Sequence, residues 1–260
     1  MTITVFRSVA EWRVIKPSGD TIGVVPTMGA LHAGHISLVE RALQDNQHVV
    51  ATIYVNPTQF NSASDLAAYP QTFDEDCAML QQAGCHFVFA PTYETLYPDK
   101  YRYRINESEI SKVLEGEFRA GHFDGMLTVV LKLLNIVGAD VAYFGEKDFQ
   151  QLLLVREMLH AFQHATRIVT CPTMRESDGV AMSSRNRRLN GAQRALAAEW
   201  SSTLADLTLA CDDVRVRLEA LGFRVDYIEE RWGRRLGAVH TPAIDGGAEI
   251  RLIDNVALAV

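Results

Sequence analysis

Cysteine is scarce in this sequence and scattered: Cys77, Cys85, Cys171 and Cys211, with no C-x-x-C pair. In a chain of 260 residues such a set excludes a disulfide scaffold and predicts buried free thiols. Long apolar runs are missing too. The longest, near Leu127–Leu134, is broken by Lys132 and is too short to span a bilayer. Positive charge is outnumbered, with 25 Lys and Arg against 32 Asp and Glu and a net charge of −7. That balance argues against a general binder of nucleic acid or anionic membrane, so any anionic ligand must meet local basic groups. The opening MTITVFRSVAEW has no basic stretch leading into an apolar one, so no signal peptide is expected and the chain reads as cytoplasmic. Repeats, low-complexity tracts and Pro-rich linkers are absent as well. His160 and His164 have the i,i+4 spacing of a helical metal site. No Cys, Glu or third His beside them completes a known ligand pattern, and a surface helix is the expectation.

What remains is an ordinary globular composition, 48% hydrophobic and 22% charged, long enough for one large domain or two modest ones. Short runs rich in Val, Ile, Phe or Tyr and closed by Pro, Gly or Asn predict strands at 21–25, 49–55, 86–90, 140–144 and 167–170. Helical patterns lie between them at 37–44, 73–83, 125–137 and 149–161. In 125–137 the polar Thr128, Lys132 and Asn135 predict one narrow wet stripe on an otherwise packed helix. The stripes around Leu127–Val137 and Leu152–Leu159 are expected to be core or subunit interface. Alternating helices and near-continuously apolar strands predict an α/β fold, a Rossmann-like doubly wound parallel sheet with its ligands at the carboxyl ends of the strands. After Cys171-Pro172 the character changes. MRESDGVAMSSRNRRL is polar and basic, helical patterns follow at 192–210 and 213–221, and β-like stretches at 224–229 and 249–253. We expect domains at 1–171 and 172–260, the second a smaller α+β unit. Arg187-Arg188 and Arg234-Arg235 are expected on its solvated surface.

The stretch PTMGALHAGH, residues 26–35, joins an apolar strand to a helix through glycines and presents His32 and His35. Glycine lets backbone approach a ligand, and a helix start offers unpaired N–H groups to an anion. A metal site, a phosphate cradle and plain helix-start chemistry all fit this stretch alone. Imidazoles beside a phosphate-binding helix start can donate to phosphate oxygens and stabilise charge developing during nucleotidyl transfer.

The stretch resembles the HIGH signature of class I nucleotidyltransferases and class I tRNA synthetases, here as H-A-G-H. Met182-Ser183-Ser184-Arg185-Asn186 falls where their KMSKS signature follows the last strand of the nucleotide fold. The two in that order disfavour the metal reading. VNPTQF (55–60), YPQT (69–72), EGEFRAGHFDGMLTVVLKLLNIV (115–137), YFGEKDFQQL (143–152), SDGVAMSSRN (177–186) and RLIDN (251–255) resemble the pantothenate synthetase family. Members of that family condense pantoate with β-alanine using ATP.

The resemblance implies two steps: pantoate carboxylate attacks the α-phosphate, then the amine of β-alanine displaces AMP. It makes Met28, Gly29, Ala30, Leu31, His32, Ala33, Gly34 and His35 an ATP-binding turn, with His35 as proton donor or phosphate stabiliser. Lys147 and Arg185 are implied as the cations that meet the triphosphate, and Ser183 and Ser184 as hydroxyl donors. Gly145, Asp148 and Met182 would shape the adenosine and ribose pocket, and Glu146 and Met174 are implied as further ATP-binding residues. Gln59 and Gln151 match the family's pantoate-holding glutamines, whose amides can donate to the carboxylate and accept from hydroxyls. Asn56 would steady that loop and Arg119 reach substrate or phosphate. A magnesium ion bridging phosphates is implied, with Asp76 or Asp74 near it unless these only cap a helix. The family also implies a homodimer and a C-terminal domain that acts as a lid.

Two departures stand out. RAGHF has Ala120 where the family generally has proline, and the stretch after Arg188 matches poorly and is somewhat short. Two rivals share these features: a nucleotidyltransferase acting on a phosphorylated acceptor, and a non-catalytic nucleotide-binding module. The first needs cations where Gln59 and Gln151 stand. The second would not be expected to keep His32, His35, Lys147 and Arg185 together.

Overall fold

The computed structural model describes residues 2–258. The chain forms two compact units, Met1–Glu146 with Gln150–Cys171, and Lys147–Phe149 with Pro172–Val260.

In the first unit six strands form one sheet: β1 (Thr4–Phe6), β2 (Ile22–Thr27), β3 (His48–Ile53), β4 (Phe87–Phe89), β5 (Val141–Gly145) and β6 (Arg167–Cys171). Their order is β1-β4-β3-β2-β5-β6, and every pairing is parallel. The inner strands carry almost no exposed position, as a sheet covered on both faces requires. Five of the strands lie within two residues of their expected bounds. The sixth, β1, is not among the expected strands, being only three residues at the sheet edge. From β2 the chain winds outward through β3 and β4, then returns to β5 on β2's other side. That reversal places the carboxyl ends of β2 and β5 next to each other, the position where open α/β sheets hold ligands. The core behind it joins Val25, Leu31, Val39, Val49, Leu80, Val88 and Tyr143.

The wet stripe on helix His122–Val137 is only partly there. Asn135 is exposed and Lys132 half-buried, but Thr128 is buried. Its hydroxyl donates to the Asp124 carbonyl at 2.6 Å and accepts the Ile105 N–H at 2.9 Å, which removes its need for water. Helix Phe149–Ala161 ends before His164, so the two histidines do not share a helix. Among the described residues no group of three or more His, Cys, Asp or Glu could hold a metal. Cys85 and Cys171 are buried and Cys77 and Cys211 only half-buried, all four as free thiols. Burial pushes the Cys85 thiol up to about 11. No helix among the described residues is long and apolar enough to cross a membrane.

The second unit is a three-stranded antiparallel sheet, β7 (Arg224–Arg231), β8 (Arg234–His240) and β9 (Arg251–Ala257), with helices Gly191–Ala205 and Cys211–Ala220. Trp200, Leu204, Val214, Leu218, Ile228 and Val239 make its core. β8 is an addition to the expected strands, and Arg235 corrects the surface reading of its arginine pair: it is 2% exposed. Its guanidinium is satisfied where it lies, by Glu230 at 2.8 Å and by the Asp206 and Leu209 carbonyls at 2.8 and 2.7 Å. Arg187 and Arg188 are exposed.

Candidate active site

After β2 the chain turns through Gly29 and Ala30, both left-handed at φ 80 and 51. In Ala30 that conformation carries a steric penalty of about 1–2 kcal/mol. A single buried carboxylate holds the turn. Asp76, 1% exposed, accepts the Ala30 N–H at 2.9 Å and the Leu31 N–H at 2.8 Å, and Thr72 donates to it at 3.1 Å. A Cβ on Gly29 would stand 2.9 Å from the same carboxylate, so only glycine fits there unchanged. Asp76, which the resemblance implies near a metal, is placed here, under the turn that leads to the paired histidines. Both its oxygens are engaged by the protein, and Asp74 is exposed on the first turn of the same helix.

The turn delivers His32 to the N-cap of helix Ala33–Asp45 and His35 to its third position. The His35 Nδ1 accepts the His32 N–H at 3.3 Å, the backward half of a capping box. In the neutral ring the proton is then on Nε2, which makes that atom a donor. The two rings lie side by side with centroids 4.0 Å apart. A helix start and an imidazole donor therefore share one end of the sheet, an arrangement suited to phosphate.

Beyond β3 the turn Pro57–Gln59 carries the first glutamine. Asn56 is its hub. The Asn56 Oδ1 accepts from the Tyr97 hydroxyl at 2.9 Å and the Thr58 hydroxyl at 3.0 Å. Its Nδ2 donates to the Gln59 Oε1 at 2.9 Å and the Gly125 carbonyl at 3.2 Å. Burial pushes the Tyr97 phenol up to about 12, so it stays a donor and fixes which way the Asn56 amide faces. The Gln59 amide is fixed in turn: its oxygen is engaged by Asn56 and its Nε2 lies 3.2 Å from the Met28 sulfur. Both ends of the Gln59 amide are thus held by the protein. Below it, the Gln59 carbonyl meets His122 Nδ1 at 2.9 Å. Helix His122–Val137 packs so closely here that a Cβ on Gly125 would be 2.4 Å from the Thr58 carbonyl oxygen. Tyr97, His122 and Gly125 are not among the residues singled out from sequence, although GHFDG and YP mark their positions.

The adjacent glutamines of FGEKDFQQ divide. Gln150 is buried and structural, accepting the Glu115 N–H and donating to the Ile110 and Val113 carbonyls. Gln151 is half-buried and makes no side-chain hydrogen bond among the described residues. Arg119 is paired with the buried Glu115 at 3.3 Å. Gly145 ends β5 and Glu146 opens the short helical turn after it, both half-buried.

In the second unit, Lys147 lies 3.8 Å from the Asp148 carboxylate. Residues 174–182 double back on themselves. Arg175 bridges Ala181, the Met182 N–H donates to the Met174 carbonyl at 2.9 Å, and the Glu176 N–H donates to the Val180 carbonyl. Met174 is exposed, Met182 and Ser183 half-buried and Ser184 buried. Ser183 caps the turn that carries Arg185, accepting its N–H at 3.3 Å.

The sequence profile of the Pantoate-beta-alanine ligase family matches residues 2–257. This chain belongs to that family. A pantothenate synthetase of Bdellovibrio bacteriovorus is 47% identical to it over 97% of this chain and 98% of its own. A crystal structure of the Francisella tularensis pantoate-beta-alanine ligase, complexed with beta-gamma ATP and beta-alanine, superposes with a TM-score of 0.90. It is 36% identical and covers 98% of this chain and 97% of its own. A pantothenate synthetase of Thermus thermophilus superposes at 0.88 with 37% identity, over 98% of this chain and 99% of its own. These alignments run on through the stretch after Arg188. The family is thus recognised along the whole chain, not only at the motifs before Asn186.

Proposed function

We propose that this chain joins pantoate to β-alanine with ATP, through a pantoyl adenylate, releasing pyrophosphate and then AMP. Membership of the pantoate-beta-alanine ligase family supports the overall reaction. The observation that carries the chemistry is Gln59, a neutral amide fixed on a braced turn by Asn56 and beside the Met28 sulfur. A carboxylate held by amide N–H groups keeps its charge for attack on the α-phosphate, whereas a phosphorylated acceptor would call for cations. Gln151 supplies the second amide. As the oxygen of the carboxylate attacks, charge grows on the phosphate oxygens, and His35 Nε2–H and the helix start meet it. Lys147 and Arg185 neutralise the departing pyrophosphate, with the Ser183 and Ser184 hydroxyls as further donors. The β-alanine amine then attacks the acyl carbon and AMP leaves. A magnesium ion, when bound with the nucleotide, would add charge neutralisation for the phosphates. The chain works in the cytoplasm, which cell fractionation checks, and as a homodimer. Sedimentation at micromolar concentration should give the pair, and a monomer there would refute it.

The test is exchange of labelled pyrophosphate into ATP without β-alanine. Exchange that depends on pantoate establishes the adenylate. Exchange supported instead by a phosphorylated acceptor would replace this reading with nucleotidyl transfer. Gln59→Ala is expected to raise the half-saturating pantoate concentration about ten-fold and leave that of ATP nearly unchanged, from the loss of hydrogen bonds to a charged group. A defect confined to ATP would remove Gln59 from the acceptor site.

A further inference from the structure

The RLIDN stretch near the end of the chain has no part in the chemistry above, yet two of its residues are among the most buried polar groups of the second unit. Asp254 is 4% exposed and Asn255 3%. They are consecutive on β9, so their side chains leave opposite faces of the sheet. Asp254 takes Arg175 in a two-bond fork, Nη1 to Oδ2 at 2.7 Å and Nη2 to Oδ1 at 3.0 Å. Arg175 also donates to the Gly179 carbonyl at 3.0 Å, which closes the 174–182 hairpin onto the same carboxylate. Asn255 donates its Nδ2 to the Lys147 carbonyl at 2.9 Å and accepts from Arg234 at 2.5 Å. The Arg234 guanidinium in turn covers the Phe149 ring at 4.5 Å. Lys147–Phe149 is separated from the rest of the second unit by 22 residues of the first, Gln150–Cys171, and still belongs to it.

We propose that Asp254 and Asn255 are positioning residues for adenylate formation: one strand dipeptide fixes the backbone of Lys147 on one side and the hairpin leading to Ser183–Arg185 on the other. The proposal rests on the reading of Lys147 and Arg185 as the triphosphate's cations. A packed strand is stiffer than the turns it holds, so two cations on separate loops acquire one common frame. Removing the Asn255 amide frees the Lys147 backbone without touching any group that meets substrate.

Wild-type exchange is measured first; its absence would sink the catalytic reading itself, before any variant is compared. With exchange present, Asn255→Ala is expected to slow it about ten-fold at saturating substrates, from the loss of a buried hydrogen bond. Half-saturating pantoate should stay within about two-fold of wild type, because the acceptor side belongs to Asn56 and Gln59. Asp254→Asn, which weakens the fork to Arg175, should instead raise half-saturating ATP. If Asn255→Ala does not unfold cooperatively, Asn255→Gln, which keeps the amide but moves it by one methylene, is measured for the same split. Wild-type rates in a folded variant, or equal losses for pantoate and ATP, would overturn the proposal. Failure of both Asn255 variants to fold would overturn it too, leaving the dipeptide as a stabilising contact only.

Discussion

His35→Ala is expected to cut pantoate-dependent pyrophosphate exchange by roughly two or more decades, while the protein still unfolds cooperatively, judging from the usual weight of one donor aimed at developing charge. On its Nδ1 the ring accepts the His32 N–H at 3.3 Å. Alanine at the third helical position keeps the helix and forfeits that bond, at about 1 kcal/mol of stability. The loss of rate should therefore far exceed the loss of stability. His35→Asn is the informative companion, because its amide can still donate near the phosphate, and a partial return of exchange would locate the function in the donor. Exchange at near-normal rate in His35→Ala would take the histidine out of the mechanism and leave the helix start as the phosphate's main partner. Either result is read against ATP binding measured separately, since a donor used only as charge develops affects rate more than affinity.

Much of the first unit is legible in the sequence because burial on both faces leaves little choice of residue. β2, β3 and β5 are apolar nearly throughout, and their closing Pro, Asn and Gly mark where the sheet ends and the site begins. Parallel strands with helical crossovers follow from that pattern, whereas the reversal between β2 and β5 is visible only in the sheet order. Harder cases share one cause: a residue's type does not say which way it faces. Gln150 and Gln151 are identical in type and adjacent, yet about 100° apart around a helix, so one is core and the other open. Arg235 reads as solvated because its neighbour is also arginine, while alternation along β8 turns it inward to Glu230 and two carbonyls. β8 itself is hidden by that pair and by Gly237, which together break a strand's usual pattern. Lys147 sits in a motif that reads as part of the first domain, yet it groups with the second, where its carbonyl accepts from Asn255 more than a hundred positions away.

Asp76 shows the same ambiguity with the largest structural consequence. An acidic residue in the first turn of a helix is explained by the dipole alone, and three stand together there: Asp74, Glu75 and Asp76. Only Asp76 is buried, and it alone reaches the turn after β2. Asp76→Ala should leave the Ala30 and Leu31 N–H groups without their acceptor in the interior, at about 1–3 kcal/mol for each. The left-handed Ala30 then loses what holds it, and the turn relaxes away from the geometry that aims His32 and His35. We expect the thermal midpoint to fall by about 5–10 °C, converting those energies at the scale of a chain this size. We also expect exchange at a permissive temperature to drop by at least about ten-fold, with half-saturating ATP raised more than pantoate. Asp76→Asn separates the roles. Its oxygen can still accept one of the two N–H groups, but its NH2 faces the other, so it should lie between alanine and wild type in stability. Were Asp76 a magnesium ligand instead, Asp76→Asn would leave the midpoint unchanged and raise the magnesium concentration needed for exchange. A lowered midpoint with an unchanged magnesium requirement is the outcome that the two short bonds to Ala30 and Leu31 demand.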